Sequence, residues 1–415
     1  MKKVFALLLA LIVCAAFLVA CNQDATNGPE ETKAETKAEE TAGEDNPDTK
    51  PEGHVKDVDI SEFYKGVEFE LPTDFRQAAV DYMYEQASVK WVCAESFGVK
   101  EEWEHWGINL DFQKGVEYTG QPYANSQVNV NLFKRALVDG TYTSPSTSWD
   151  DVHGSQCVSS ILNALQQVMI IDGWSYTLNP ASETFDGKIL GNYKVEPKPV
   201  NQETPTVEVC KANGADTMYE AYSLTQKGDT IITVNNWVHA RMVVESHTEY
   251  SAAGKLNPRR SYIKCIEQTN SFDKTRTDGV KTTWFVEHVY TFDKLYEDGY
   301  LPATYEVFET GVSHIPYITL DAENKPEILA KGMVVGNVKS NYPLRYVVLE
   351  VFDKDGNTVK EYTVRGNMTD YAYGLRKFSY NLFGSGLEKG DYTFVLTAGI
   401  ALGEHEFERV DFSVS

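Results

Sequence analysis

The chain has 415 residues, and 38 Lys and Arg against 61 Asp and Glu give it a formal net charge of -23. Binding to a nucleic-acid backbone needs clustered Lys and Arg, so this balance argues against a nucleic-acid partner. It also argues against adhesion to anionic polymers by charge alone. We therefore expect recognition to take place in a pocket, and this length predicts roughly two folded domains.

The first twenty residues have the pattern of a secretory signal peptide. Lys2 and Lys3 precede an apolar stretch, and small residues come directly before Cys21. Export machinery and a lipoprotein peptidase recognise this arrangement. We expect residues 1–20 to be removed and Cys21 to carry a lipid. The mature protein would then be anchored to the outer face of a membrane, and the acidic run after Cys21 argues against a signal anchor.

An acidic tether is predicted for residues 21–57. The segment consists mainly of Glu, Thr, Lys, Asp, Pro and Ala, with almost no apolar side chains. Such a composition cannot bury enough apolar surface to fold. It favours an extended, charged connection between the membrane and the folded part.

Helices followed by strands are predicted for residues 58–317. Apolar and aromatic residues at helical spacing follow Thr73, and a second helical stretch covers residues 156–171. Runs of β-branched and aromatic residues then predict strands at 230–234, 238–245, 262–268 and 282–292. Helices first and an antiparallel sheet afterwards are typical of an α+β domain.

Residues 318–415 have the pattern of a separate all-β domain. Short strands are predicted at 332–338, 345–352, 358–364, 377–383, 392–401 and 407–414. The segment from Asp353 to Asn357 has the composition of a hairpin turn. Short strands at this density predict a β-sandwich of immunoglobulin-like architecture, which usually spaces or binds and offers no cluster for chemistry here.

Cys157 is the strongest candidate nucleophile. It stands at the start of the predicted helix, where unpaired backbone amides and the positive end of the helix dipole stabilise a thiolate. The alternative is a small buried core residue, which is common for a free Cys. The other mature cysteines, Cys93, Cys210 and Cys265, are widely spaced, so one or two disulfides stay open while a zinc module is disfavoured.

His239 is the candidate general base, because it lies at the front of a predicted strand. Cysteine catalysis needs an imidazole that takes the thiol proton and returns it to a leaving amine. A solvent-facing strand residue is the alternative. A third polar group must orient the ring, and the strand at 262–268 and the residues after it offer Glu267, Gln268 or Asn270. Spacing alone does not choose among these three.

This order of motifs resembles the papain-like cell-wall peptidases and amidases of the NlpC and CHAP families. The resemblance spans roughly residues 72–270. Its motifs are Gly120-Gln121-Pro122-Tyr123, the helix-borne Cys157, Gly228-Asp229 before a strand, His239-Ala240 in the next strand, and Glu267-Gln268 on the following one.

The resemblance implies an α+β papain-like fold with a thiolate at Cys157, a base at His239 and Glu267 or Gln268 as the orienting group. It implies that Tyr123 lies near the nucleophile as an electrophilic or positioning group. Members of these families hydrolyse amide bonds, commonly in peptidoglycan peptides. An extracellular peptide is therefore the expected partner, and neither a metal nor an organic cofactor is required.

Departures from the family pattern, chiefly around the Cys, leave a second interpretation open. Gln156 stands before the Cys where an Asp or Gly-type residue is usual, and Ser159 is not followed by the usual Gly-Phe. The segment between Tyr123 and Cys157 is longer than usual, and Arg241 lies within the His strand. The alternative is an inactive papain-like surface lipoprotein that binds a wall peptide, a glycan or a protein. Two further patterns carry less weight: His153 four residues before Cys157 as a metal pair, and an aromatic group at residues 103–106 as a glycan or peptide groove.

Overall fold

The computed structural model describes residues 53–98, 107–108, 110–171, 180, 185–195, 205–235 and 238–415. The predicted signal peptide, the lipid-bearing Cys21, most of the tether and the aromatic group at residues 103–106 lie outside the described residues. Within the described ranges, no helix combines the length and the apolar character needed to cross a bilayer.

Helices dominate the first half of the fold. Among the described residues the α-helices are α1 (Phe75–Ser88), α2 (Val130–Arg135), α3 (Cys157–Leu165), α4 (Thr206–Asn213), α5 (Ala215–Ser223), α6 (Phe292–Asp298), α7 (Glu306–Thr310), α8 (Pro326–Leu329) and α9 (Ser379–Phe383). The start of α1 follows from its cap, because the Asp74 carboxylate accepts a hydrogen bond from the backbone N–H of Gln77 at 2.9 Å. Both helices expected near residues 75 and 156 are therefore present.

Strands dominate the second half. The described strands are β1 (Lys65–Glu68), β2 (Lys90–Cys93), β3 (Glu117–Thr119), β4 (Leu137–Val138), β5 (Thr141–Tyr142), β6 (Gly187–Ile189), β7 (Thr230–Val234), β8 (Val238–His247), β9 (Tyr262–Gln268), β10 (Trp284–Thr291), β11 (Leu301–Tyr305), β12 (Tyr317–Leu320), β13 (Asn337–Ser340), β14 (Tyr346–Asp353), β15 (Thr358–Arg365), β16 (Ala372–Gly374), β17 (Gly390–Ile400) and β18 (Gly403–Val414). The mixed α+β class expected from the sequence is confirmed.

The central feature of the region before β12 is a six-stranded antiparallel sheet in the order β10-β9-β8-β7-β11-β6. Helices α1 and α3 pack against β8 and β9, and their apolar side chains form one core with the sheet. Ile161 and Leu165 of α3 are fully buried there, together with Met242 of β8 and Ile266 of β9. This packing places the first residue of α3 beside the start of β8.

A smaller sheet, β3-β2-β5-β4, flanks the first core. Trp91 of β2 is the centre of its aromatic cluster and stacks on Tyr118 with ring centroids 4.9 Å apart. The indole N–H of Trp91 donates to the carbonyl of Gly120 at 2.9 Å. This bond fixes the segment that leads from β3 to Tyr123.

The C-terminal part consists of two four-stranded antiparallel sheets, β1-β12-β13-β16 and β15-β14-β17-β18. Side chains from both sheets share one hydrophobic core, which includes Ile318, Val338, Leu349 and Leu396. Strand β1 pairs along its whole length with β12. Strand β1, which precedes α1 in the chain, is thus part of a C-terminal sheet.

Two predicted strands in this region are wrong in whole or in part. Residues 377–383 form the end of a 3-10 helix (Leu375–Phe378) and then α9. The buried side chains Leu375, Phe378 and Leu382 recur at helical spacing, which an expectation built on aromatic content overlooked. The strand predicted at 332–338 begins only at Asn337, because α8 and a left-handed Gly332 precede it.

Candidate active site

Cys157 is the first residue of α3, with Gln156 as the preceding cap residue. The backbone N–H of Gln156 donates to the Ser159 hydroxyl at 2.8 Å, which closes the first turn. The Cys157 sulfur lies 3.7 Å from the carbonyl oxygen of Val238, and the residue is 5% exposed. A thiol at this position lies beside the unpaired amides of the helix N-terminus.

His239 of β8 lies between the thiol and a carboxylate. Its Nε2 is hydrogen-bonded to Oε2 of Glu267, which leaves Nδ1 as the ring nitrogen toward Cys157. Burial lowers the pKa of His239, but the charge of Glu267 and hydrogen bonds to Cys157 and Glu267 outweigh burial and raise it to about 9. The ring is therefore an imidazolium at neutral pH.

Glu267 of β9 is the group that orients His239. Its side chain is 1% exposed, and Oε2 also accepts a hydrogen bond from Nε of Arg241 at 2.9 Å. The Tyr290 hydroxyl donates to Oε1. Burial raises the pKa of Glu267, but the charges of Arg241 and His239 and hydrogen bonds to His239 and Tyr290 lower it to about 2. The carboxylate is thus ionised and fully partnered.

Gln268 has a different set of partners from its neighbour Glu267. Its Oε1 accepts from the Ser155 hydroxyl at 2.6 Å, and its Nε2 donates to the carbonyl of Gln121 at 2.9 Å. Successive residues of a strand point to opposite faces of the sheet, which explains why Glu267 and Gln268 contact different residues. Gln268 thus joins β9 to the segment that leads to Tyr123 and to the segment that leads into α3, and Asn270 donates to the carbonyl of Gly107 instead.

Tyr123 lies against Cys157. Burial raises its pKa well above the ordinary value, and the charge of Cys157 and a hydrogen bond to Cys157 raise it further. The segments holding the two residues meet where Tyr123 forms a parallel bridge with Ser155. A Cβ at Gly154 would lie 2.1 Å from the Pro122 carbonyl, so only glycine permits this approach.

The Gly228-Asp229 motif supports the fold at a distance from the thiol. The Asp229 carboxylate pairs with the Arg76 guanidinium at 2.7 Å and accepts from the backbone N–H of Gln226 at 2.7 Å. These contacts fix the start of β7 to α1. The motif therefore has a local structural role in this chain.

His153, which the sequence suggested as a metal ligand together with Cys157, lies in a partly buried environment. Burial, followed by the nearby charge of Arg365, lowers the pKa of His153 to about 4. Among the described residues, no group of three or more His, Cys, Asp or Glu is placed to hold a metal ion. Cys93, Cys157, Cys210 and Cys265 are all free and buried, so Cys157 is not part of a disulfide.

Sequence reasoning gave no role to Arg241 or Tyr290. Arg241 follows His239 at a spacing of two on β8, so both side chains point to the same face of the sheet, and that spacing is a usable signal. Tyr290 reaches Glu267 from β10, a neighbouring strand whose register the sequence does not state. In this register Tyr290 lies opposite Ile263 and Phe285 lies opposite Glu267, so the Tyr290 side chain reaches Glu267 diagonally along the two strands.

No protein-family model matches the chain, and no curated protein shows significant similarity to it. The resemblance to papain-like enzymes therefore depends on the motifs and geometry described above.

Proposed function

We propose that this protein is a cell-envelope cysteine hydrolase that cleaves an amide bond through Cys157, with a papain-like domain at residues 58–317. One observation carries the proposal. Cys157 lies at a helix N-terminus in hydrogen-bond contact with His239, whose other ring nitrogen is held by the ionised Glu267. A nucleophile, a base and an orienting acid in that order are what thiol acyl transfer requires.

The reaction begins with an attack by the Cys157 thiolate on the carbonyl carbon of the amide. The negative charge that develops on the carbonyl oxygen is stabilised by the backbone N–H of Cys157 and the Tyr123 hydroxyl. The imidazolium of His239 gives its proton to the amine nitrogen as the C–N bond breaks, which leaves a thioester. Water then attacks the thioester carbonyl while neutral His239 takes one of its protons. The C–S bond breaks, the carboxylic acid is released, and the Cys157 thiolate and the His239 imidazolium are restored.

Peptidoglycan peptides are the proposed substrate, and the outer face of a bacterial membrane is the proposed location. The signal peptide pattern and Cys21 support export and lipidation, and the motif order supports this substrate class. Substitution Cys21→Ser is expected to release the protein from the membrane fraction into the soluble fraction of the envelope or the medium. Retention in the membrane after Cys21→Ser would contradict lipid anchoring.

An immunoglobulin-like sandwich is proposed for residues 318–415. The shared core of the two antiparallel sheets supports it. Its proposed role is to space the hydrolase domain or to bind a surface partner, because the residues described there offer no cluster of catalytic groups.

Digestion of purified peptidoglycan peptides tests the proposed reaction. New amino termini detected by mass spectrometry are expected with the wild type and are expected to vanish with Cys157→Ala. Cys93→Ala is the matched control, because Cys93 is also a buried free cysteine but lies on β2. Cleavage that survives Cys157→Ala would contradict the role of the thiol.

The low exposure of Cys157 favours a second candidate function, a papain-like domain that binds a wall peptide without cleaving it. Cys157 is 5% exposed and its sulfur lies 3.7 Å from the Val238 carbonyl, which limits its access to a substrate. In that case peptidoglycan peptides bind equally well to the wild type and to Cys157→Ala, and no new amino terminus forms.

A further inference from the structure

Arg241 is held in an unusual environment behind the catalytic groups. Its guanidinium carbon lies 3.7 Å from the ring centroid of Tyr290 and 4.3 Å from that of Tyr300, and the side chain is only 11% exposed. Stacking on two rings fixes the plane of the guanidinium. The Nε–H then points at Oε2 of Glu267 at 2.9 Å.

Three side chains donate to Glu267: the permanent cation Arg241, the titratable His239 and the neutral Tyr290. Arg241 and His239 reach it from β8, and Tyr290 reaches it from β10. On the far side, Lys294 and Asp298 of α6 pair with each other at 2.8 Å. The remaining titratable neighbours are Tyr300 and Cys265, for both of which burial raises the pKa, so they are neutral near pH 7. Arg241 is thus the charge that compensates Glu267 whatever the state of His239.

We propose that Arg241 is a positioning residue for the reaction proposed above, acting on His239 only through Glu267. It keeps the Glu267 carboxylate ionised and oriented, so that Glu267 holds the imidazolium of His239 in place beside Cys157. The inference rests on the proposed function, because a positioning role requires a reactive thiol. Tyr290 contributes twice, by stacking on Arg241 and by donating to the second carboxylate oxygen.

The pH profile of iodoacetamide labelling at Cys157 tests this role in the ectodomain. Without the cation, Glu267 takes up a proton at higher pH and no longer supports the imidazolium. For Arg241→Met the acid limb of the labelling rate is therefore expected to move upward by about one pH unit or more. Arg241→Lys restores the charge and is expected to shift the limb less than Arg241→Met.

Arg76→Met is the matched control. Arg76 also pairs with a buried carboxylate, Asp229, at 2.7 Å and lies over the ring of Phe308 at 4.7 Å. Its loss is expected to lower the unfolding temperature without moving the labelling profile. Tyr290→Phe is the second variant if Arg241→Met does not fold, and we expect it to shift the acid limb in the same direction by a smaller amount.

The outcomes separate the two proposals. If Cys157 of the wild type labels no faster than an ordinary thiol, the proposed function fails. If the wild type labels rapidly and depends on His239, but Arg241→Met and Tyr290→Phe keep its pH profile, only the positioning role is overturned. A lower unfolding temperature with an unchanged profile in the Arg241 variants also overturns it.

Discussion

Glu267 determines the charge state of the side chains around it. Because its pKa is lowered to about 2, its pairing stabilises the fold fully above the unfolded value of about 4.3 and is lost as the pH falls through about 2. The pKa of His239 is raised to about 9, so its contribution is complete below about 6.5 and is lost as the pH rises through 9. The contributions of Glu267 and His239 to stability are therefore both complete between about pH 4.3 and pH 6.5.

Glu267→Gln is expected to destabilise the protein by about 3–5 kcal/mol near pH 5.5, because Arg241 and His239 lose a buried partner charge. The loss should shrink toward pH 2 and toward pH 9 or above. Chemical denaturation at a series of pH values measures it. A loss that is constant across the series would contradict the ionic role of Glu267.

Gln268→Ala provides the complementary prediction at the neighbouring position. It removes the partners of Ser155 and of the Gln121 carbonyl, which is expected to cost about 1–3 kcal/mol in unfolding free energy. The dependence of Cys157 labelling on pH should stay as in the wild type, since Gln268 has no contact with His239 among its described hydrogen bonds. A shifted labelling profile would assign the orienting role to Gln268 as well.

At the scale of elements, strands with a strong local signal were predictable. The β-branched runs at 230–234 and 262–268 coincide with β7 and β9. The choice between Glu267 and Gln268 was not predictable. Two adjacent strand residues point to opposite faces of the sheet, and the sequence does not state which of them shares a face with His239. The helix at residues 379–383 was mistaken for a strand because its aromatic content masked its helical spacing.

The turn after β3 gives a prediction at this scale. The φ of Gly120 is +84°, and a Cβ there would lie 2.3 Å from the Trp284 ring. Gly115 has a φ of +75° and nothing within 4 Å of its Cβ position, which makes it the control. Gly115→Ala is expected to cost about 1–2 kcal/mol from the left-handed backbone. Gly120→Ala should cost about 1–3 kcal/mol more from overpacking.

Thermal and denaturant unfolding of the two glycine variants provides the measurement. Equal destabilisation by Gly120→Ala and Gly115→Ala would contradict the close approach of Trp284. Because this segment continues to Tyr123, we also expect slower Cys157 labelling in Gly120→Ala alone.

At the scale of the whole molecule, an early strand, β1, pairs with a late strand, β12. The described residues from Gly53 to Ser415 form one compact unit, and the β1 strand at residues 65–68 supplies an edge of a C-terminal sheet. Val67 of β1 packs against the shared core of the two C-terminal sheets. The sequence did not predict this pairing, because β1 and β12 are separated by about 250 residues and only long-range contacts define it.

A fragment of residues 318–415 is therefore expected to be incompletely stabilised. Loss of β1 uncovers apolar core worth about 1.5–3 kcal/mol, which should lower the melting temperature by about 10 °C. A synthetic peptide of residues 63–71 should restore part of this loss, whereas a scrambled peptide should not. An unchanged melting temperature of the fragment on addition of the peptide would contradict the role of β1.

In the proposed mechanism, His239 activates Cys157. Iodoacetamide labelling of the purified ectodomain, followed across pH by mass spectrometry, measures this directly in the wild type and in His239→Ala. We predict rapid labelling of Cys157 well below the free-thiol value of about 8.5, with a marked slowing in His239→Ala. Slow labelling in both proteins, or equal rates in both, would contradict an activated nucleophile at this site.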